Sequence, residues 1–330
     1  MIMPSLDSKV TLLLGSRLTI RKDSDLTPLT MREWNILEKK LTASGLDSPE
    51  DLLGLGVNDI QQHLDFSEEE AVRITKLLDR IELMELSLAY YADKGIQVVT
   101  RNEEMYPQRY RERLKDSAPL VLFYAGEPAL MGQPGIAVVG SRHLDPIGQA
   151  CAEFVGNTCG LSGLVLYSGG AKGVDCISTQ AALEARGTGV SVLAHSLEQT
   201  IRDDLTKKAI ERKDLCLVTP YTPDAGFSVG TAMGRNRLIY CLADYAIVVA
   251  SDAEKGGTWA GATETLKAGW VPVFILEHAD MPEGNRLLIQ KGGIPFSHPF
   301  PEHYRKLETW LKENSQTSKP KATPTQLGLL

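Results

Sequence analysis

Eight short runs of continuous apolar, largely β-branched sequence recur between residues 96 and 276, and they constrain the fold more than any other feature. They read IQVVT (96–100), LVLFYAG (120–126), GIAVVGS (135–141), LVLYSGG (164–170), VSVLA (190–194), LCLVTP (215–220), YAIVVAS (245–251) and VPVFIL (271–276). A strand with one face in water alternates apolar and polar residues, whereas a strand covered on both faces does not. Stretches of helical character, such as 146–159, 173–186 and 259–268, separate most of the runs. Strands alternating with helices predict an α/β fold, a Rossmann-like, doubly wound, mostly parallel sheet.

A different pattern precedes the first run. Thr30-Met-Arg-Glu33, Asn58-Asp-Ile-Gln61 and Ser67-Glu-Glu-Glu70 each set a capping oxygen three residues before a Glu or Gln, and Ser48-Pro49 offers an N-cap with proline at the first helical position. Residues 30–93 are therefore expected to form a small, all-helical domain behind an N-terminal extension, 1–29. The extended Rossmann-like domain should run from 94 to 312. Residues 313–330 are polar and rich in Pro, Lys and Thr, and are expected to be disordered.

Composition narrows the class. The chain has 330 residues, 43% of them hydrophobic, enough for a well-buried core. No apolar run reaches the ~18–20 residues of a membrane helix, and the N-terminus lacks the basic region of a signal peptide. The cysteines Cys151, Cys159, Cys176, Cys216 and Cys241 form no CxxC pair, which reads as reduced thiols in a cytoplasmic protein. The six histidines fit no HExxH pattern, so no metal and no cofactor is expected. A net charge of −7 argues against coating of duplex DNA, and a nucleic-acid reading must name local cations.

In a doubly wound sheet, ligands bind beyond the carboxyl ends of the strands, where glycine turns lead into helix N-termini. Three turns have that composition. The first holds Gly140, Ser141 and Arg142. The second holds Ser168, Gly169, Gly170 and Lys172, and the third Gly257 and Thr258. Glycines allow close backbone approach, and exposed N–H groups with a helix dipole attract an anion. There is no GxGxxG and no GxxxxGK[ST], which disfavours a dinucleotide-dependent dehydrogenase and a P-loop ATPase. Arg235, Asn236 and Arg237, near the expected start of an apolar helix, suit phosphate oxygens and base edges. Trp259 is a candidate platform for base stacking or a core residue.

The segments GIAVVGSR, YSGGAKGVD, GRNRLIYCLADYAIVVA, GGTWAGATETLKAGWVPVF and GNRLLIQKGG occur in an order that resembles the core of the DNA-processing protein A (DprA/Smf) family. The likeness covers roughly residues 94–296, and the helical module resembles the sterile-alpha-motif-like (SAM-like) domain that precedes the core in many members. The resemblance implies a non-enzymatic, homodimeric protein that binds and protects single-stranded DNA. It also implies help in loading a RecA-type recombinase during natural transformation. It places the strand on Ser141, Arg142, the Gly169–Lys172 turn, Arg235 and Arg237, with Gly257 and Thr258 lining the same cleft. The chain departs from the family where Cys176-Ile177 replaces an Ala-His pair and where Trp259-Ala260-Gly261 follows Gly257-Thr258, and no winged-helix module is visible after residue 313.

Two other readings of the same turns stay open. A nucleotide-sensing module, for instance in phage defence, would use identical phosphate turns. A nucleotide phosphoribohydrolase would need a carboxylate three residues beyond Thr258, where Gly261 stands; Glu264 is displaced along the chain.

Overall fold

The computed structural model describes residues 4–21, 23–299 and 307–317. Its core is one nine-stranded sheet of β1 (Gln97–Thr100), β2 (Val121–Gly126), β3 (Gly135–Gly140), β4 (Val165–Ser168), β5 (Thr188–Val192), β6 (Leu215–Thr219), β7 (Tyr245–Ala250), β8 (Val273–Glu277) and β9 (Ile294–Ser297). The strand order is β1-β2-β6-β5-β4-β3-β7-β8-β9. Strands β3 to β9 pair in parallel, and β2 runs antiparallel to both β1 and β6. All eight expected strands are present. The ninth has Pro295 inside it, a residue that argues against a strand except at a sheet edge, which is where β9 lies.

The strands inside the sheet are buried on both faces. In β2 and β6, Leu122, Tyr124, Cys216 and Val218 enter one cluster, while Val121, Phe123, Leu215 and Leu217 enter another on the opposite side. Successive side chains of a strand point to opposite faces, so both walls need apolar residues and the sequence shows no alternation.

The second cluster is built with the N-terminal helices. Leu6–Gly15 contributes Val10, Leu12, Leu13 and Leu14, and Met31–Ser44 contributes Trp34 and Leu37. The capping boxes at Thr30 and Ser67 form. The one expected at Asn58 does not, because that helix starts earlier, at Val57, and Asp59 instead accepts from Gly56 N at 2.9 Å. Ser48-Pro49 opens only a short 3-10 turn, Pro49–Leu52. At the other end, helix Leu307–Thr317 spans residue 313 and buries Leu307 and Leu311 against Phe274 and Phe296. Residues 318–330, expected to be disordered, lie outside the described residues. No helix among the described residues is long and apolar enough to cross a membrane.

Candidate nucleic-acid interface

From β3 the sheet grows one way through β4, β5 and β6, and the other way through β7, β8 and β9. The connections after β3 and β7 therefore diverge, opening a crevice at the carboxyl edge. The turn after β3 is fixed by Ser141, whose N–H donates to Ala250 O at 2.9 Å and whose Oγ accepts from His143 N at 3.1 Å. Arg142 next to it is exposed, its guanidinium 5.5 Å from the Phe227 ring. Phe227 itself is 54% exposed, unusual for a phenylalanine. The turn after β4 leans on the turn after β3. Gly173, at φ +87°, lies so close that a Cβ would stand 2.4 Å from Ser141 O.

Beneath the β4 turn lies Arg235, only 5% exposed. Its Nη1 rests on the Gly169 backbone, where a Cβ would meet it at 1.7 Å. Its Nε is buried without a hydrogen-bond partner among the described residues. Across Gly169 stands Asp175, whose Oδ2 accepts from Gly169 N at 3.0 Å and from Ala171 N at 3.3 Å. Burial pushes the Asp175 carboxyl up to about 6, while Arg235 and the two N–H groups oppose that rise. Burial likewise pulls the Arg235 guanidinium down, against the pull of Asp175. His195, half-buried after β5, is held below its ordinary value by burial and then by the Arg235 charge. The Tyr240 hydroxyl, whose proton burial and Asp175 hold in place, is a further buried group without a partner among the described residues. A buried cation short of hydrogen bonds beside a glycine turn can accept an anion at little further desolvation cost.

The family model of DNA recombination-mediator protein A matches residues 97–299, more than half of the chain. The chain belongs to that family. It is 28% identical over 184 residues to the DNA processing protein DprA of Bacillus subtilis, covering 55% of this chain and 61% of that one. It is 31% identical over 186 residues to the DprA of Streptococcus pneumoniae, covering 53% and 62%. The matches thus span about three-fifths of these relatives' lengths. Among solved structures, DprA from S. pneumoniae superposes with a TM-score of 0.60 at 23% identity, covering 82% of this chain and 95% of that one. DNA processing protein A from Helicobacter pylori, a structure described as giving insight into a unique single-stranded DNA binding mode, superposes with a TM-score of 0.53 at 25% identity, covering 66% and 97%.

On this DprA-type framework the expected residues separate into groups. Gly140, Ser141, Arg142, Gly169, Gly170, Lys172 and Arg235 meet around the β3 and β4 turns, with Gly170, Arg142 and Lys172 exposed. Ser168 is corrected: it is fully buried, and its hydroxyl pairs with Thr179 Oγ1 at 3.0 Å, which leaves it no role on the surface. The arginines are not at a helix start either. Their helix, Val229–Leu242, begins at the Ser228 N-cap, so Arg235 and Arg237 lie in its second and third turns. Two residues apart on a helix is about 200°, and Arg237 accordingly turns away, with Nη2 donating to Ser117 O at 3.4 Å.

The third turn reaches the site through Asn236. Its amide lies against Gly257, where a Cβ would stand 2.0 Å from Nδ2, and it has no hydrogen-bond partner among the described residues. Thr258, in the first turn of helix Gly256–Ala268, is half-buried, and the N-cap Lys255 leaves that helix start without a side-chain cap. Trp259, expected as a stacking platform or a core residue, is partly buried and packs against the core, with Lys291 Nζ 5.8 Å from its ring centroid. Glu264 is exposed and lies about 9 Å along the helix from Thr258, out of register for acid–base work at the turn.

Sequence reasoning overlooked Asp175, His195 and Phe227. Asp175 stood in the quoted GGAKGVD segment, and an acid directly after an anion-binding turn was itself a signal. Phe227, in a loop of small and polar residues, was the other legible clue.

Proposed function

We propose that this chain binds single-stranded DNA in the crevice at the carboxyl edge of β3 and β4. The observation that carries the reading is Arg235, a buried guanidinium whose Nε has no hydrogen-bond partner among the described residues, beneath a turn whose Gly170, Lys172 and Gly173 N–H groups are likewise unpaired among them. A strand phosphate on that turn meets these N–H groups, Arg142, Lys172 and the Arg235 charge. A neighbouring base stacks on Phe227, which single-strand binders require and which a paired, stacked duplex cannot supply. Family membership and the strand-binding H. pylori relative support the same reading. A net charge of −7 confines the contact to this crevice, so affinity falls with salt at a shallow slope. Assembly as a homodimer, hand-off of the strand to a RecA-type recombinase and the absence of catalysis complete the proposal.

The test is fluorescence anisotropy of a labelled strand, with the matching duplex as competitor. Wild type should prefer the single strand, and Arg235→Ala should weaken it by about 10–100-fold, the scale of one lost charge-assisted hydrogen bond. Equal binding by a folded Arg235→Ala protein would sink the reading.

A further inference from the structure

The β4 turn already holds an anion. Two of its N–H groups, those of Gly169 and Ala171, are given to Asp175 Oδ2, at 3.0 and 3.3 Å. Asp175 is only 5% exposed and belongs to the first turn of helix Val174–Glu184. It fills the inner half of a concavity that in other phosphate-binding turns is left to the ligand. The N–H groups of Gly170, Lys172 and Gly173 in the same turn have no hydrogen-bond partner among the described residues.

Nucleic-acid phosphates come in two charge classes. An internal diester link carries one negative charge, and a terminal monoester carries about 1.5 to 2 near neutral pH. We propose that Asp175 makes this turn selective for internal phosphodiesters over terminal phosphates, so that the crevice grips the middle of a strand and rejects its end. The inference rests on the strand-binding reading above.

Arg235 and Asp175, buried on either side of Gly169 and each acting on the other's charge, sum to no net charge. A diester approaching the turn gains the Arg235 contact and loses little to Asp175, because its charge is single and spread over two free oxygens. A second negative charge meets the same two buried groups, whose attraction and repulsion largely offset each other, and its further gain comes from Arg142 and Lys172, which are exposed and screened by water and salt. That charge still bears the full cost of desolvation beside a buried carboxylate. The groups facing Asp175 are Arg235 and Tyr240 from helix Val229–Leu242 and Arg142 from the β3 turn, while His195 faces Arg235 from beyond β5. Tyr240 stays protonated, so the charge of Asp175 is what sets the preference.

Two competitors that share one base isolate the charge: a nucleoside 5′-monophosphate and its methyl ester, which is a diester. Each displaces a labelled strand from the full chain near neutral pH. The methyl ester should compete about tenfold better, the scale of one like-charge contact across ~6 Å in a partly wet site. Asp175→Asn keeps an acceptor for the Gly169 and Ala171 N–H groups and removes the charge, and should bring the two competitors to within about twofold. Equal competition against wild type, or a ratio unchanged in Asp175→Asn, overturns the inference while leaving strand binding intact. Failure of the labelled strand to bind at all removes the underlying reading instead.

Should Asp175→Asn not fold, sulfate serves on the wild type, since it stays a dianion across the relevant pH range. At constant ionic strength it should displace the strand several-fold better as pH falls through about 6, where Asp175 takes up its proton. A flat profile overturns the inference.

Discussion

Replacing Gly169 by alanine should disable the crevice without removing any charged or polar group. The added Cβ would stand 1.7 Å from Arg235 Nη1, 2.6 Å from Arg235 Cζ and 2.6 Å from Asp175 Oδ2. Carbon needs about 3.5 Å from its neighbours, so the guanidinium must retreat by on the order of 1.5–2 Å. Everything in conflict is the end of a side chain, and the Gly169 backbone is not in the left-handed region. The stability cost therefore belongs at the low end of overpacking, about 1 kcal/mol. Binding is hit harder, because a cation displaced by that distance no longer reaches a phosphate on the turn. Losing a charge-assisted hydrogen bond is worth ~1.5–3 kcal/mol, or about 10–100-fold in affinity. Urea unfolding and strand anisotropy measured together separate the two effects. Gly132→Ala is the control, since its Cβ meets nothing within 4 Å. A Gly169→Ala protein that binds the strand within twofold of wild type would refute the packing of Arg235 under this turn and the role given to it.

Arg237→Ala should change strand affinity by less than about threefold, because that side chain faces Ser117 and lies away from the β4 turn; a loss as large as that of Arg235→Ala would contradict this placement. Asn285→Ala should cost about 3 kcal/mol in urea unfolding, since a fully buried side chain accepts from Ser251 N at 2.9 Å and donates to Val249 O and Leu276 O at 3.0 and 2.8 Å. A cost under about 1 kcal/mol would mean that these strand ends hold without it. Arg73 beside Glu33 holds that carboxyl down to about 2, below its ordinary 4.5. Its contribution to stability is therefore present above 4.5 and lost as pH falls toward 2. Glu33→Gln should lower stability at neutral pH by a small amount, as the pair is partly exposed, and flatten the acid limb of the stability curve. An unchanged acid limb would contradict the pairing.

The sheet was legible because burial on both faces writes itself into a strand as an unbroken apolar run, and residues 135–140 and 245–250 illustrate the rule. The edge strand β9 was not, since Pro295 and a single buried residue, Phe296, leave no such run. Glycine turns were legible as anion sites by composition. What occupies them was not, because Asp175 reaches back to Gly169 by the shape of one helix turn, which composition does not encode. The same limit explains Arg235 and Arg237. Sequence set them side by side, whereas a helix start at Val229 sends one under the turn and the other toward Ser117. Asn285, from the GNRLLIQKGG segment, proved to be a brace between the ends of β7 and β8.

The wall that the N-terminal helices provide ties the stability of two regions together. Val121, Phe123, Ala125, Leu215 and Leu217 share one apolar cluster with Val10, Leu12, Trp34 and Leu37. Cutting the chain before residue 94 would strip that wall from β2 and β6 and leave a broad greasy surface, prone to self-association. The two regions should melt in one transition, and amide exchange in Leu6–Gly15 should slow to the rate of β2 instead of that of a fraying terminus. Such coupling makes the helical module a structural lever on the sheet whose carboxyl-end turns carry the crevice.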